Sequence, residues 1–165
     1  MFADGRSTLR RMTTSAEHAD IARTILDANS FMTLATADAD GLPWATPVWF
    51  AHEGYRELYW VSAPGSRHSV NLAARPELSI VVFDSTVVPN EGQAVYVSAT
   101  AAEQTADLSR GLAAITRKSV ASGLGEWGVD RVTGGARLRL YRAIVRDLYI
   151  MDPDAAIDVR VAVTL

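Results

Sequence analysis

The chain has 165 residues, 48% of them hydrophobic and 21% charged, with a formal net charge of −3. That is enough chain for one domain with a core, and the charge balance carries no electrostatic footprint for nucleic acid. There is no cysteine, which excludes disulfides, thiolate metal sites and a cysteine nucleophile, and no apolar run approaches membrane-spanning length.

Residues 1–14 are polar, lack the apolar segment of a secretory signal and are expected to form a loose arm; a soluble cytoplasmic protein is the default. The single domain is expected to span 15–165. Thr14 and Glu17 have the spacing of a capping box, so a helix is predicted from there to about Ala28. Ile21, Ala22, Ile25 and Leu26 form its apolar face, and Asn29 is a plausible C-cap.

Strand signals follow. Residues 31–36 lead into Asp38-Ala39-Asp40-Gly41, a hairpin turn, and residues 44–51 return. His52-Glu53-Gly54 reads as a solvent-exposed turn, and residues 57–62 as a third strand, so these segments predict a β-meander. A short helix from Ser66 ends before Pro76.

Residues 78–83 are a β-branched run, 85–92 a loop with Pro89 and Asn90, and 93–101 another strand with Val95 and Val97 on one face. A second long helix is predicted over about 106–121, with a Leu108, Leu112 and Ile115 stripe, ended by Gly123. After an irregular Gly-rich stretch come strands over 137–145 and 147–151, or one long bent strand, and an alternating C-terminal strand built on Ile157, Val159, Val161 and Val163. Six to eight strands with three accessory helices fit a mainly β fold, a small β-barrel, with a β-sandwich as the alternative.

The segment Gly65-Ser66-Arg67-His68-Ser69, between a strand and a helix, is where the sequence points to chemistry. Free N–H groups and the dipole at a helix start favour an anion; Ser66 is placed to cap the helix or donate to a phosphate, and Arg67 to bind one bidentately. The alternative is a capped surface helix with a solvated arginine. His18, His52 and His68 do not have metal-ligand spacing. Trp44, Trp49 and Trp60 offer flat surfaces for a flat ring or belong to core and interface, and Trp127 lies in the Gly-rich loop. Ser98 and Ser109 have no histidine placed to activate them. Arg137, Arg139 and Arg142 form either an anionic-substrate extension or a solvated strand face.

In order and spacing, several short motifs resemble the pyridoxamine 5'-phosphate oxidase-like, FMN-binding split-barrel family. They are Phe31-Met32-Thr33-Leu34-Ala35-Thr36 with Asp40-Gly41-Leu42-Pro43, Thr46-Pro47-Val48-Trp49-Phe50, Leu58-Tyr59-Trp60-Val61-Ser62, Ser66-Arg67-His68-Ser69-Val70-Asn71-Leu72, Arg75-Pro76-Glu77-Leu78-Ser79 and Gly92-Gln93-Ala94-Val95.

The resemblance covers about residues 19–100 and implies a split β-barrel homodimer with a flavin in a groove between subunits. It implies Ser66 and Arg67 at the FMN phosphate, with His68 beside them. Thr46, Pro47 and Val48, with Val61 and Ser62, would border the ring and ribityl chain, and Gln93 would lie beside the ring. It implies a flavin-dependent oxidoreductase moving hydride to or from a small organic substrate, with neither nucleic acid nor membrane as partner.

Hydride transfer needs no protein acid or base, so no catalytic residue is assigned. Ala45 and Phe50 stand where the oxidases carry an arginine and a lysine, and His68 where a lysine commonly follows the arginine. The 46–50 segment also resembles relatives that use the deazaflavin coenzyme F420, the alternative cofactor. A barrel that binds a cofactor or ligand without catalysis is a third reading, with haem as a further candidate ligand within related barrels.

Overall fold

A computed structural model describes residues 12–88 and 92–165. Most of the expected N-terminal arm, and Pro89 and Asn90 of the expected loop, lie outside the described residues. Helix α1 spans Ser15–Ala28 and opens on the capping box the sequence predicts: the Glu17 N–H donates to Thr14 Oγ1 and the Thr14 N–H to the Glu17 carboxylate. Asn29 closes it, its backbone N–H donating to the Ile25 carbonyl.

Strand β1 (Phe31–Ala37) pairs with β2 (Pro43–Trp49) around the predicted turn, where Asp38 Oδ1 accepts from the Asp40 and Leu42 N–H groups. Then come β3 (Ala51–Glu53), β4 (Glu57–Ser62), α2 (Arg67–Ala74), β5 (Glu77–Phe83), β6 (Ala94–Glu103), α3 (Leu108–Ala121), a 3-10 turn at Val129–Arg131, β7 (Arg139–Met151) and β8 (Arg160–Ala162). The two late strand segments are one long strand, β7, whose partner β6 slips register between Ser98 and Ala99. The C-terminal strand is shorter than its alternation suggests: Val161 pairs within β8 and packs on the core, whereas Ile157 is 75% exposed.

The strands form one antiparallel sheet in the order β2-β1-β5-β6-β7-β4-β3, with β8 on β7. This corrects the β-meander: β2 and β3, consecutive in the chain, lie at opposite edges. Only Phe50 separates them, and its side chain is fully buried. One residue spans only a few ångströms, so the two edges must meet in space. The sheet therefore curls on itself into a barrel that hydrogen bonding does not close between β2 and β4, although the two touch. The expected turn at His52-Glu53 is likewise corrected. Both residues belong to β3, and the turn falls at Gly54 and Tyr55, each with positive φ.

The inward faces of the strands make the main core, with Leu34, Phe50, Leu58, Trp60, Val82, Val95, Ala143 and Ile150 buried among Ala22 and Leu26 of α1. Burying each large side chain contributes roughly 1.5–3 kcal/mol. A second cluster joins α3 to the sheet through Leu112, Ala114, Ile115, Tyr59 and Leu140. Gly111 allows that approach: a Cβ there would lie 2.7 Å from the Tyr59 ring.

Candidate functional site: the groove beside α2

Helix α2 packs across β1, β2 and β6, and its first turn reaches Ser62 at the end of β4 through His68 and Trp44 of β2 through Arg67. Ser66 occupies the N-cap position but makes no side-chain cap bond. Its hydroxyl instead donates to Ser69 Oγ at 2.8 Å and lies 3.1 Å from His68 Nε2. The hydroxyl of Ser62, at the end of β4, lies 2.8 Å from the same nitrogen. Ser62, His68 and Ser69 are buried. Burial pushes the His68 imidazole below its ordinary value, so at neutral pH it serves as a neutral hydrogen-bonding group. The resulting cluster of hydroxyls, at a helix start that Ser66 does not cap, suits the oxygens of an anion.

Arg67 supplies the charge. Its guanidinium is partly exposed, donates to Asp38 Oδ2 at 3.0 Å and stands 5.4 Å from the Trp44 ring centroid. The Leu42 N–H, with that of Asp40 and with Arg67, holds the Asp38 carboxyl below the usual carboxylate range.

The other expected contact residues are dispersed along the strands. Thr46 lies on the edge strand β2 opposite Leu34, half-buried, with an Oγ1 that is buried and has no hydrogen-bond partner. Pro47 is exposed, Val48 is buried in the core and Val61 packs on the second cluster. Gln93, whose Oε1 is also buried without a partner, precedes β6. The far end of β6, Glu103, pairs with Tyr141, close to where Arg139 pairs with Ser62. Ten strand residues at about 3.3 Å each put Gln93 on the order of 30 Å along the sheet from that end. A single chain therefore does not bring Gln93 to Ser66.

The tryptophans divide. Trp44 is 46% exposed at the groove, Trp60 is fully buried and stacked on Tyr141, Trp49 packs on the second cluster, and Trp127 packs there with Arg131 over its ring. Arg139 lies 3.6 Å from Glu103 and Arg142 3.9 Å from Glu57, so both face carboxylates on the sheet.

Sequence reasoning missed Thr36, Asp38 and Asn71 as site residues. The Asn71 side chain, 1% exposed, donates to Thr36 Oγ1 at 3.0 Å, and its own Oδ1 has no partner. An unpaired buried carbonyl costs about 1–3 kcal/mol. The available signal was a polar residue inside the apolar face of a short helix. The start of α2 thus offers a phosphate two kinds of partner: helix N–H groups that Ser66 does not cap, and the Arg67 guanidinium.

The comparisons agree with this architecture. The sequence profile described as pyridoxamine 5'-phosphate oxidase matches residues 19–133. No curated protein matches the sequence. A haem-binding protein from Mycobacterium smegmatis superposes with TM-score 0.69 at 20% identity, covering 94% of this chain; the chain spans 60% of that protein. An FAD-binding protein from Mesorhizobium loti gives TM-score 0.59 at 23% identity, covering 85% of this chain and 95% of that one. An F420 reductase gives 0.57 at 19%, covering 77% and 94%. At these identities the structural matches establish the fold, and the profile, spanning well over half the chain, establishes the family. The chain is a member of the pyridoxamine 5'-phosphate oxidase family, built on its split-barrel fold.

Proposed function

We propose that this protein is a cytoplasmic, homodimeric flavin-dependent oxidoreductase that binds FMN in the groove beside α2 and acts on a small organic substrate. The observation that carries this is the meeting of Arg67, Ser62, Ser66, His68 and Ser69 at the start of α2. Arg67 and the α2 N–H groups would hold the phosphate. When bound, FMN supplies a ring that accepts or delivers hydride. The protein's part is to bind and orient that ring and to shield it from water.

The homodimer goes with the Gln93 role: Gln93 lies far along β6 from the start of α2, so contact of its amide with a flavin ring there calls for a second copy. The outer face of the sheet supports the dimer. Phe31 and Phe83, 60% and 48% exposed, fall opposite each other when the β1–β5 register is extended, with the Thr33–Val81 pair next to them on the same face. An exposed apolar patch on a sheet face is a docking surface. No helix among the described residues is long and apolar enough to cross a membrane.

Coenzyme F420 is the second reading. Ala45 and Phe50 supply no cation, leaving Arg67 to meet the phosphate, and an F420 reductase shares the fold. Parallel titrations of the purified protein with FMN and F420, followed by fluorescence, test the choice. Saturable FMN binding, abolished or weakened by Arg67→Ala, supports the first reading; binding of F420 with rejection of FMN selects the second.

A further inference from the structure

Away from the start of α2, the end of α1, strand β3 with its turn, and α3 border an open cleft of about 590 Å³. Its walls gather an interlocked set of titratable groups. Asp27 Oδ1 is 2.9 Å from His52 Nε2, and Asp27 Oδ2 accepts from the Tyr55 hydroxyl at 3.0 Å. The His52 and Tyr55 rings stack with centroids 4.5 Å apart. Tyr55 has a left-handed backbone, φ 56°, as the second central residue, after Gly54, of the β3–β4 turn closed by the Arg56 N–H on the Glu53 carbonyl. Burial and Asp27 together push its phenol up, so it stays a proton donor.

Facing them on α3 are Arg117, paired with Glu53, and Lys118, the only lysine in the chain. The Lys118 stem is half-buried. Its Nζ donates to the Asn29 carbonyl at 2.6 Å and lies 4.3 Å from the Phe50 ring centroid. Burial pushes this ammonium below its usual range, opposed by Asp27. A partly desolvated amine with a cationic neighbour in a cleft is the setting in which lysine becomes a nucleophile.

We propose that this cleft is a second small-molecule site, in which Lys118 forms a reversible imine with a small 2-oxo acid. Arg117, whose side chain is 60% exposed, exchanges its Glu53 partner for the substrate carboxylate, and His52 and Tyr55 line the cleft. Nζ, as the free amine, attacks the carbonyl carbon to form the C–N bond, and the former carbonyl oxygen takes a proton. Loss of that oxygen as water then gives the C=N bond. Ammonium plus ketone gives iminium plus water, so the step balances without oxidant or reductant. The iminium keeps one N–H, which continues to donate to the Asn29 carbonyl. The Asp27, His52 and Tyr55 group supplies and returns the proton exchanged on the way.

The test is reductive trapping. The full-length protein is incubated with pyruvate and cyanoborohydride, and the adduct is located by peptide mass mapping. The chain offers two kinds of amine, Lys118 and the chain's α-amine, and the latter serves as the internal reference. The expected result is an adduct on Lys118 that saturates with pyruvate, is competed by lactate and disappears in Lys118→Arg. Arg117→Gln should raise the half-saturating pyruvate concentration about tenfold, the loss of one ionic contact. An adduct on the α-amine alone overturns the proposal. So does Lys118 labelling that rises linearly with pyruvate and ignores lactate. Neither outcome depends on flavin binding.

Discussion

Arg67 and Asp38 meet across the mouth of the groove, Nη2 of one 3.0 Å from Oδ2 of the other, beside the Trp44 ring. Asp38 is itself tied down by the N–H groups of its own turn. The tight β1–β2 turn therefore fixes the guanidinium through one donor and leaves the rest of its fork free. Arg67→Ala is expected to weaken FMN binding at least about tenfold, roughly 1.4 kcal/mol, and to leave riboflavin, which lacks the phosphate, unchanged. Fluorescence titration with both flavins measures this.

His68 links the site to stability. Its folded pKa is lowered by burial from an ordinary 6.5, so the unfolded chain takes up a proton that the folded chain resists. Its contribution is fully present above that ordinary value and is lost as pH falls through it toward the lowered native value. The melting temperature should therefore drop between about pH 7.5 and about pH 5.5. His68→Gln should flatten that part of the profile.

The sheet face carrying Phe31 and Phe83 makes a third test. Phe83→Asp places a charge in the patch and is expected to weaken self-association at least about tenfold, or 1.4 kcal/mol. FMN affinity should fall with it, because Gln93 then no longer reaches a groove. Analytical ultracentrifugation across a dilution series, with and without FMN, reads both effects.

The close approach of α3 gives a stability prediction. In Gly111→Ala the new methyl would meet the Tyr59 ring and Leu140 at 2.7 and 2.8 Å. Overpacking of that kind costs about 1–3 kcal/mol, against about 1 kcal/mol gained from helix propensity. Thermal unfolding should show a net loss and no gain.

Much of this was local and so legible in the sequence. The Thr14–Glu17 capping box, the Asp38–Leu42 turn and the Ser66 helix start each depend on residues within a few positions of one another. The strand order was not legible, because pairing β2 and β3 with opposite edges depends on how far the whole sheet curls around Phe50. His52 and Glu53 read as an exposed turn because the partner of His52, Asp27, lies 25 positions away on another element. Ser66 was legible as an N-cap position but not in its bonding, since Ser69 and His68 claim the hydroxyl that would otherwise cap the helix. Asn71 and Thr36 were invisible for the same reason: their hydrogen bond joins α2 to β1.

The most direct test is the stoichiometry and affinity of FMN binding to the purified protein, wild type beside Arg67→Ala. The account predicts saturable binding of one FMN per chain by a dimer, weakened by the substitution. A protein that takes up no FMN, or binds it equally well without Arg67, would contradict it.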